Sequence, residues 1–398
     1  MSNNHKCGAG ATGLSGLIWD RPMVYSPAMK DLLRQLIQAD STLDRGEVAA
    51  AEVLAAYFEA HGIECHLDRW DDKRANVTAR VRSTGQRPGL LFLCHLDVVG
   101  PGEEAWVHPP FGAVEENGKI YGRGTTDMKG GTAAVVAAMR ELVESGTELQ
   151  GDIVFAATAG EETDSCGAIR LMQNRDDFPE LAGIIVPEPT DFCVVTAHRG
   201  MFWLKITTKG KAVHSSMPQR GVNAIMSMNR LLAELQRYEV PFEPHPTLGK
   251  CSVSVNTIAG GEAMNIVPDR CTIGVDIRTL PGQDHDAIRY DLERMLARLK
   301  ADTPQFEAEI AVDRSVGAME TDAEDEFVKA FCSAVDVDLT NTVGFTTDAP
   351  HVVPLGAPIV IYGPGKPRLC HQVDEYIEIA DLNTATDIFK KVVARFLT

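Results

Sequence analysis

The run Leu90–Val99, LLFLCHLDVV, constrains this chain more than any other ten residues. It is almost continuously apolar, as a strand buried on both faces must be, and such strands belong to parallel sheets. Shorter apolar runs follow at Gly151–Ala159, Ala182–Pro187 and Pro358–Tyr362. Helical stretches lie between them. Asp44–Gly62 has Asp44 as a cap, Glu47 to close a capping box and Gly62 as a stop. Gly131–Gly146 carries Ala, Val, Met and Leu on one face, and Leu382–Leu397 closes the chain. Strands alternating with helices predict an α/β domain with a mainly parallel sheet.

The middle of the chain has a different period. Met201–Gly210, Ser252–Ala259, Arg270–Thr279 and Phe306–Ser315 alternate polar with apolar, as half-exposed strands do. Gly221–Tyr238 and His285–Lys300 are helical, the second capped by Asp284. The order β-α-β-β-α-β is that of a ferredoxin-like α+β unit. The expected organisation is a tail at 1–25, a first domain in two parts (26–192 and 316–398), and an inserted domain at 193–315. A chain of 398 residues is too long for one ordinary domain, which agrees with this division.

Composition excludes several functions. Asp and Glu number 56 against 38 Lys and Arg, and a net charge of −18 repels phosphate backbones, so nucleic acid is not expected as a partner. No run approaches the roughly 18 apolar residues that a membrane helix needs. Met1–Trp19 lacks the apolar stretch of a secretory signal. Nine cysteines, an odd number with no CxxC pair, fit reduced thiols in the cytoplasm.

The candidate chemistry centres on Glu161 and Glu162, which follow the apolar run Ile153–Ala159. Upstream are His95, Asp97 and Asp127; downstream are Glu188, His214 and His371. Several follow strand ends, the edge at which open α/β sheets bind ligands. Two imidazoles and several carboxylates on one rim suit two divalent metals, with one carboxylate left over to move a proton. Asp97, two residues beyond His95, has the spacing to fix that ring's tautomer. Asp127 lies in GRGTTDMKGG, where glycines permit the close backbone approach that a carboxylate shared by two cations needs. Adjacent side chains do not both point at one metal, so one of Glu161 and Glu162 is a ligand and the other a base. Glu188 is pinned between Pro187 and Pro189. By themselves, His371 reads as a loop histidine and His214 equally well as a helix-entry residue or an oxyanion donor.

The motifs CHLDVV, WVHPPFG, GKIYGRGTTDMKGG, TAGEET, VPEPT, AVHSSMPQRGVNAI, DIRTLPG and CHQVDEY lie between about residue 26 and the C-terminus. Together they resemble the metallopeptidase family of acetylornithine deacetylase, succinyl-diaminopimelate desuccinylase, carboxypeptidase G and the aminoacylases. The resemblance is greatest to the acetylornithine deacetylases, in HRG, HSSMPQRGVNAI and TTDAP. It implies a catalytic domain with an inserted lid and dimerisation domain, and a homodimer paired through that lid. It implies that His95 and Glu188 hold one metal, Glu162 and His371 the other, and that Asp127 bridges them. Glu161 is then the general base, Asp97 orients His95, and His214, from its own or a partner's lid, polarises the scissile carbonyl. Arg278 and Asn265 would grip the substrate's α-carboxylate. The implied cofactors are two zinc ions, with cobalt or manganese as substitutes.

There are departures from the family pattern. Gly160 stands where many members have an acid, and Asp348 where acetylornithine deacetylases tend to have a glutamate. Asp348 is the candidate reader of the substrate side chain. The expected activity is removal of a short acyl group from an N-acyl amino acid, with N-acetylornithine first. Desuccinylation of succinyl-diaminopimelate and cleavage of dipeptides or C-terminal residues share every catalytic residue. A relative kept only for binding would usually lack a ligand or the base, and none is missing here.

Overall fold

The computed structural model describes residues 27–398, so the tail expected at 1–25 lies outside the described residues. The described chain divides into two compact units.

The first unit comprises residues 27–195, 322–341 and 353–398. Its sheet runs Glu64–Arg69, Ala75–Val81, Ile153–Thr158, Gly89–His95, Leu181–Val186, Ile359–Ile361. The last four are mutually parallel; the first two are antiparallel additions. All seven residues of Gly89–His95 are buried, because helices cover both faces of a central parallel strand. On one face Phe92 meets Phe389 of the last helix, Ile379–Leu397, edge to face at 5.5 Å; Phe155 meets Phe58 at 5.3 Å. Each such pair adds about 1 kcal/mol beyond the area it buries. The helix Gly130–Glu144 packs against both Pro27–Gln38 and Ile379–Leu397, and all but a few of its residues are buried.

The helix expected at Asp44–Gly62 starts later, at Val48, and ends at Ala60. Glu47 is its cap residue, but the side chain makes no capping bond. It is fully buried and pairs instead with Arg74, Oε1 to Nη1 at 2.7 Å. A buried carboxylate needs a cation more than a helix end needs a cap.

The second unit comprises residues 196–321 and 342–352. Its sheet order is Ser252–Gly260, Arg270–Thr279, Gly200–Lys209, Glu307–Val316, all antiparallel, with the first and the last at the edges. This is the ferredoxin-like arrangement. Strict alternation along Arg270–Thr279 turns Cys271, Ile273, Val275 and Ile277 inward, against Met228 and Leu231 of Ala224–Leu235 and Leu292 of His285–Asp302. Asn223 caps the first helix and Asp284 the second, each accepting a backbone N–H. The unit begins and ends later than the expected 193–315, and it takes in 342–352 as well. Side-chain hydrogen bonds explain the extra segment. Thr346 Oγ1 donates to the Arg199 carbonyl at 2.9 Å, and Thr347 Oγ1 meets His198 Nε2 at 3.2 Å.

Candidate metal centre

Three parallel strands deliver the first ligands. His95 is the last residue of Gly89–His95, Glu161 and Glu162 follow Ile153–Thr158, and Glu188 follows Leu181–Val186. Asp127 sits in the short turn Thr125–Lys129, which leads into the helix Gly130–Glu144. Two glycines let this turn come close. Gly124 has φ +86°, and a Cβ on Gly131 would stand 2.1 Å from the Pro187 carbonyl. Without a side chain at 131, the helix start abuts the segment that carries Glu188.

His95 Nε2 lies 3.2 Å from Asp127 Oδ1 and 3.6 Å from Glu188 Oε1. His371 Nε2 lies 3.3 Å from Asp127 Oδ2 and 3.0 Å from Glu162 Oε1. Asp127 therefore turns one oxygen to each imidazole. Potential ligand atoms of His95, Asp127 and Glu188 fall within 4.8 Å of one another, and so do those of Asp127, Glu162 and His371. A third set, His95 with Glu161 and Glu162, places Glu161 at the same centre.

Asp97 acts in two ways. His95 Nδ1 is 3.0 Å from the Asp97 carbonyl and 3.6 Å from its carboxylate, so the main chain holds the ring. The carboxylate accepts the N–H of Glu161 at 3.0 Å and of Glu162 at 2.9 Å, and fixes the turn that carries both.

This donor set fits divalent cations. With Nδ1–H donated to a carbonyl, His95 presents its other nitrogen, Nε2, to Asp127 and Glu188, the nitrogen through which a neutral imidazole would bind a metal. Electrostatics agree. Burial alone would lower the basicity of His95, but Glu188, Asp127 and Asp97 outweigh it and hold the ring well above its usual range. Hydrogen bonds to Asp127 and Glu162 push His371 up to about 10. Burial, then the charge of Asp127, raises Glu162. Burial works against the charge on Asp127 too, yet its bonds to His371 and His95 keep its carboxyl well below the usual range. The surrounding carboxylates thus hold both imidazoles in their protonated form, and a bound metal would displace those protons.

Residues 91–395 match the profile of Peptidase family M20/M25/M40. The chain belongs to this family. Among M20 relatives, a probable succinyl-diaminopimelate desuccinylase of Staphylococcus aureus strain MRSA252 is 31% identical, over 92% of this chain and 97% of that protein. An acetylornithine deacetylase of Myxococcus xanthus is 30% identical, over 93% and 98% respectively. A Bacillus subtilis crystal structure described as a dinuclear metal binding peptidase of the family superposes with a TM-score of 0.68 at 16% identity, covering 92% of this chain and 98% of that one. The M20 chain is accordingly a metal-dependent hydrolase. No helix of its described residues is long and apolar enough to cross a membrane.

The remaining sequence candidates all belong to the second unit. His214 is exposed and Asn265 lies beside it: Val213–His214 pairs with Ile266–Val267, and Ser215 N–H donates to the Asn265 carbonyl at 2.9 Å. His214 Nδ1 accepts the Ser216 N–H at 3.2 Å, which leaves Nε2 as the donor nitrogen. Arg278 pairs with Asp276 at 3.0 Å. Asp348 is 3% exposed and close enough to His351 to oppose the effect of burial on that ring.

Sequence reasoning missed a buried pair in the first unit. Arg123 and Glu375 meet at 2.6 Å, both almost fully buried. The available signal was an arginine between glycines four residues before Asp127, and a glutamate four residues after His371.

Proposed function

We propose that this chain removes a short acyl group from an N-acyl amino acid. The carrying observation is Asp127, which presents one oxygen toward His95 and the other toward His371. His95 and Glu188 would hold one divalent cation, Glu162 and His371 the other, with Asp127 shared. A cation pair there supplies Lewis acidity to the scissile carbonyl and to water. Glu161, whose backbone is fixed by Asp97, takes a proton from the attacking water and returns it to the leaving nitrogen. His214 donates from Nε2 to the developing oxyanion, and Arg278 with Asn265 binds the substrate carboxylate, Arg278 as a two-point fork.

The acyl group has two readings of equal support. Relatives bearing the names acetylornithine deacetylase and probable succinyl-diaminopimelate desuccinylase are 30% and 31% identical to this chain. Asp348, in TTDAP, is the group proposed to select the side chain. The deciding experiment is a panel of N-acetyl, N-succinyl and N-formyl amino acids with dipeptides, run with zinc, cobalt and manganese. Turnover of an acyl amino acid well above any dipeptide is expected; dipeptides alone as substrates would overturn the reading.

The proposed setting is the cytoplasm, in keeping with an odd count of nine cysteines and no CxxC pair. The proposed assembly is a homodimer through the second unit. Its edge strand Ser252–Gly260 exposes Val255 and Ile258, and the neighbouring helix exposes Ile225 and Met226. Sedimentation at micromolar concentration should show twice the chain mass, and a monomer would refute the dimer.

A further inference from the structure

Asp127 and His371 belong to separate loops, and one buried ion pair ties these loops together. Glu375 is fully buried and Arg123 is 2% exposed. Glu375 Oε1 accepts the backbone N–H of Thr126 at 2.8 Å and of Asp127 at 3.2 Å. Its Oε2 receives Arg123 Nη1 at 2.6 Å. The same Nη1 donates to the carbonyl of Gln372, next to His371, at 3.2 Å. Two further bonds complete the seam: Gly122 N–H to the Glu375 carbonyl at 2.8 Å, and Thr126 Oγ1 to the Tyr376 carbonyl at 2.7 Å. His371 itself has φ +64°. A residue other than glycine holds that left-handed conformation where its surroundings fix it.

We propose that Arg123 and Glu375 are positioning residues that set the separation of Asp127 from His371, and thereby the cation affinity of the centre. The proposal rests on the two-metal reading above. Neither side chain is a ligand. Their chemistry is nevertheless specific. Only a carboxylate with both oxygens engaged can hold two amide N–H groups and a guanidinium at once. The guanidinium reaches the carbonyl beside His371 through the same Nη1 that holds this carboxylate, while its Nη2 is turned to the Gly100 carbonyl at 3.5 Å, a second arm that a lysine lacks. An apolar pair of equal volume would fill the space, and such replacements often preserve stability, but it would leave two loops free to drift.

The test uses the full chain with zinc, titrated against a competing chelator, and the melting temperature of the metal-free protein. Glu375→Gln and Arg123→Lys are the variants. A positioning role predicts a loss of zinc affinity of roughly 10- to 100-fold in the folded variants, larger for Glu375→Gln. Arg123→Lys decides the matter if Glu375→Gln fails to fold. A lower metal-free melting temperature with unchanged zinc affinity shows a purely structural pair and overturns the proposal. A wild-type chain that takes up no zinc defeats the metal-centre reading itself, a different failure from wild type and variants binding alike.

Discussion

Glu161 and Glu162 are adjacent in the chain, yet their surroundings differ. Glu162 lies 3.0 Å from His371, while Glu161 completes a set with His95. Asp97 holds both backbone amides, so neither side chain can take the other's place without breaking two charge-assisted hydrogen bonds. Glu161→Gln preserves shape and removes the carboxylate proposed to carry the proton. It should lower kcat by about 100- to 10,000-fold and leave bound metal unchanged, as read by steady-state kinetics and elemental analysis. Turnover near wild type would remove Glu161 from the mechanism. Glu162→Gln should instead lose metal, and a full metal complement in that variant would show that Glu162 is not a ligand.

At the scale of an element, the helix Gly130–Glu144 depends on a missing side chain. Alanine is favoured over glycine in a helix interior by about 1 kcal/mol, so Gly131→Ala ought to stabilise. The Pro187 carbonyl reverses that sign. A Cβ 2.1 Å from a backbone oxygen forces either the helix or the Glu188 segment to move. Overpacking of this kind costs about 1–3 kcal/mol. Gly131→Ala should therefore lower the melting temperature by several degrees and weaken metal binding through Glu188. A variant as stable as wild type, with equal metal affinity, would show that the contact relaxes freely. The capping box expected at Asp44 and Glu47 shows the same competition between local and tertiary demands. Local pattern placed Glu47 on its own helix end, but burial placed it on Arg74.

Across the whole molecule, acid should weaken the second unit in particular. His198 is fully buried, and burial pulls its pKa down to about 4, with the Arg199 carbonyl opposing. Between the ordinary histidine value near 6.5 and about 4, the unfolded chain takes a proton that the folded chain refuses. Stability is therefore complete above pH 6.5 and is lost as pH falls through that window, by about 3 kcal/mol at most. His198→Asn should remove this dependence. Denaturant unfolding of both chains at pH 7, 6 and 5 checks it, and parallel losses in the two would count against the assignment.

The sequence alone determined the architecture: a mainly parallel sheet from four apolar runs, and an inserted β-α-β-β-α-β unit from alternation, with each of those eight runs within a few residues of a strand, while Glu64–Arg69 and Ala75–Val81 went unread. It also placed His95, Glu161, Glu162 and Glu188 at or just beyond strand ends, where the structure has them. Hydrophobic periodicity and strand ends are local properties, and they survive in one dimension. The tertiary structure decided which atoms meet. It gave the His95 ring to the Asp97 main chain, gave the Asp97 carboxylate to two amides, and joined Arg123 to Glu375 across 252 positions. It also drew residues 342–352 into the second unit. Such pairings depend on desolvation, since a buried charge takes whatever partner the fold brings within reach. No period or spacing along a chain encodes that distance.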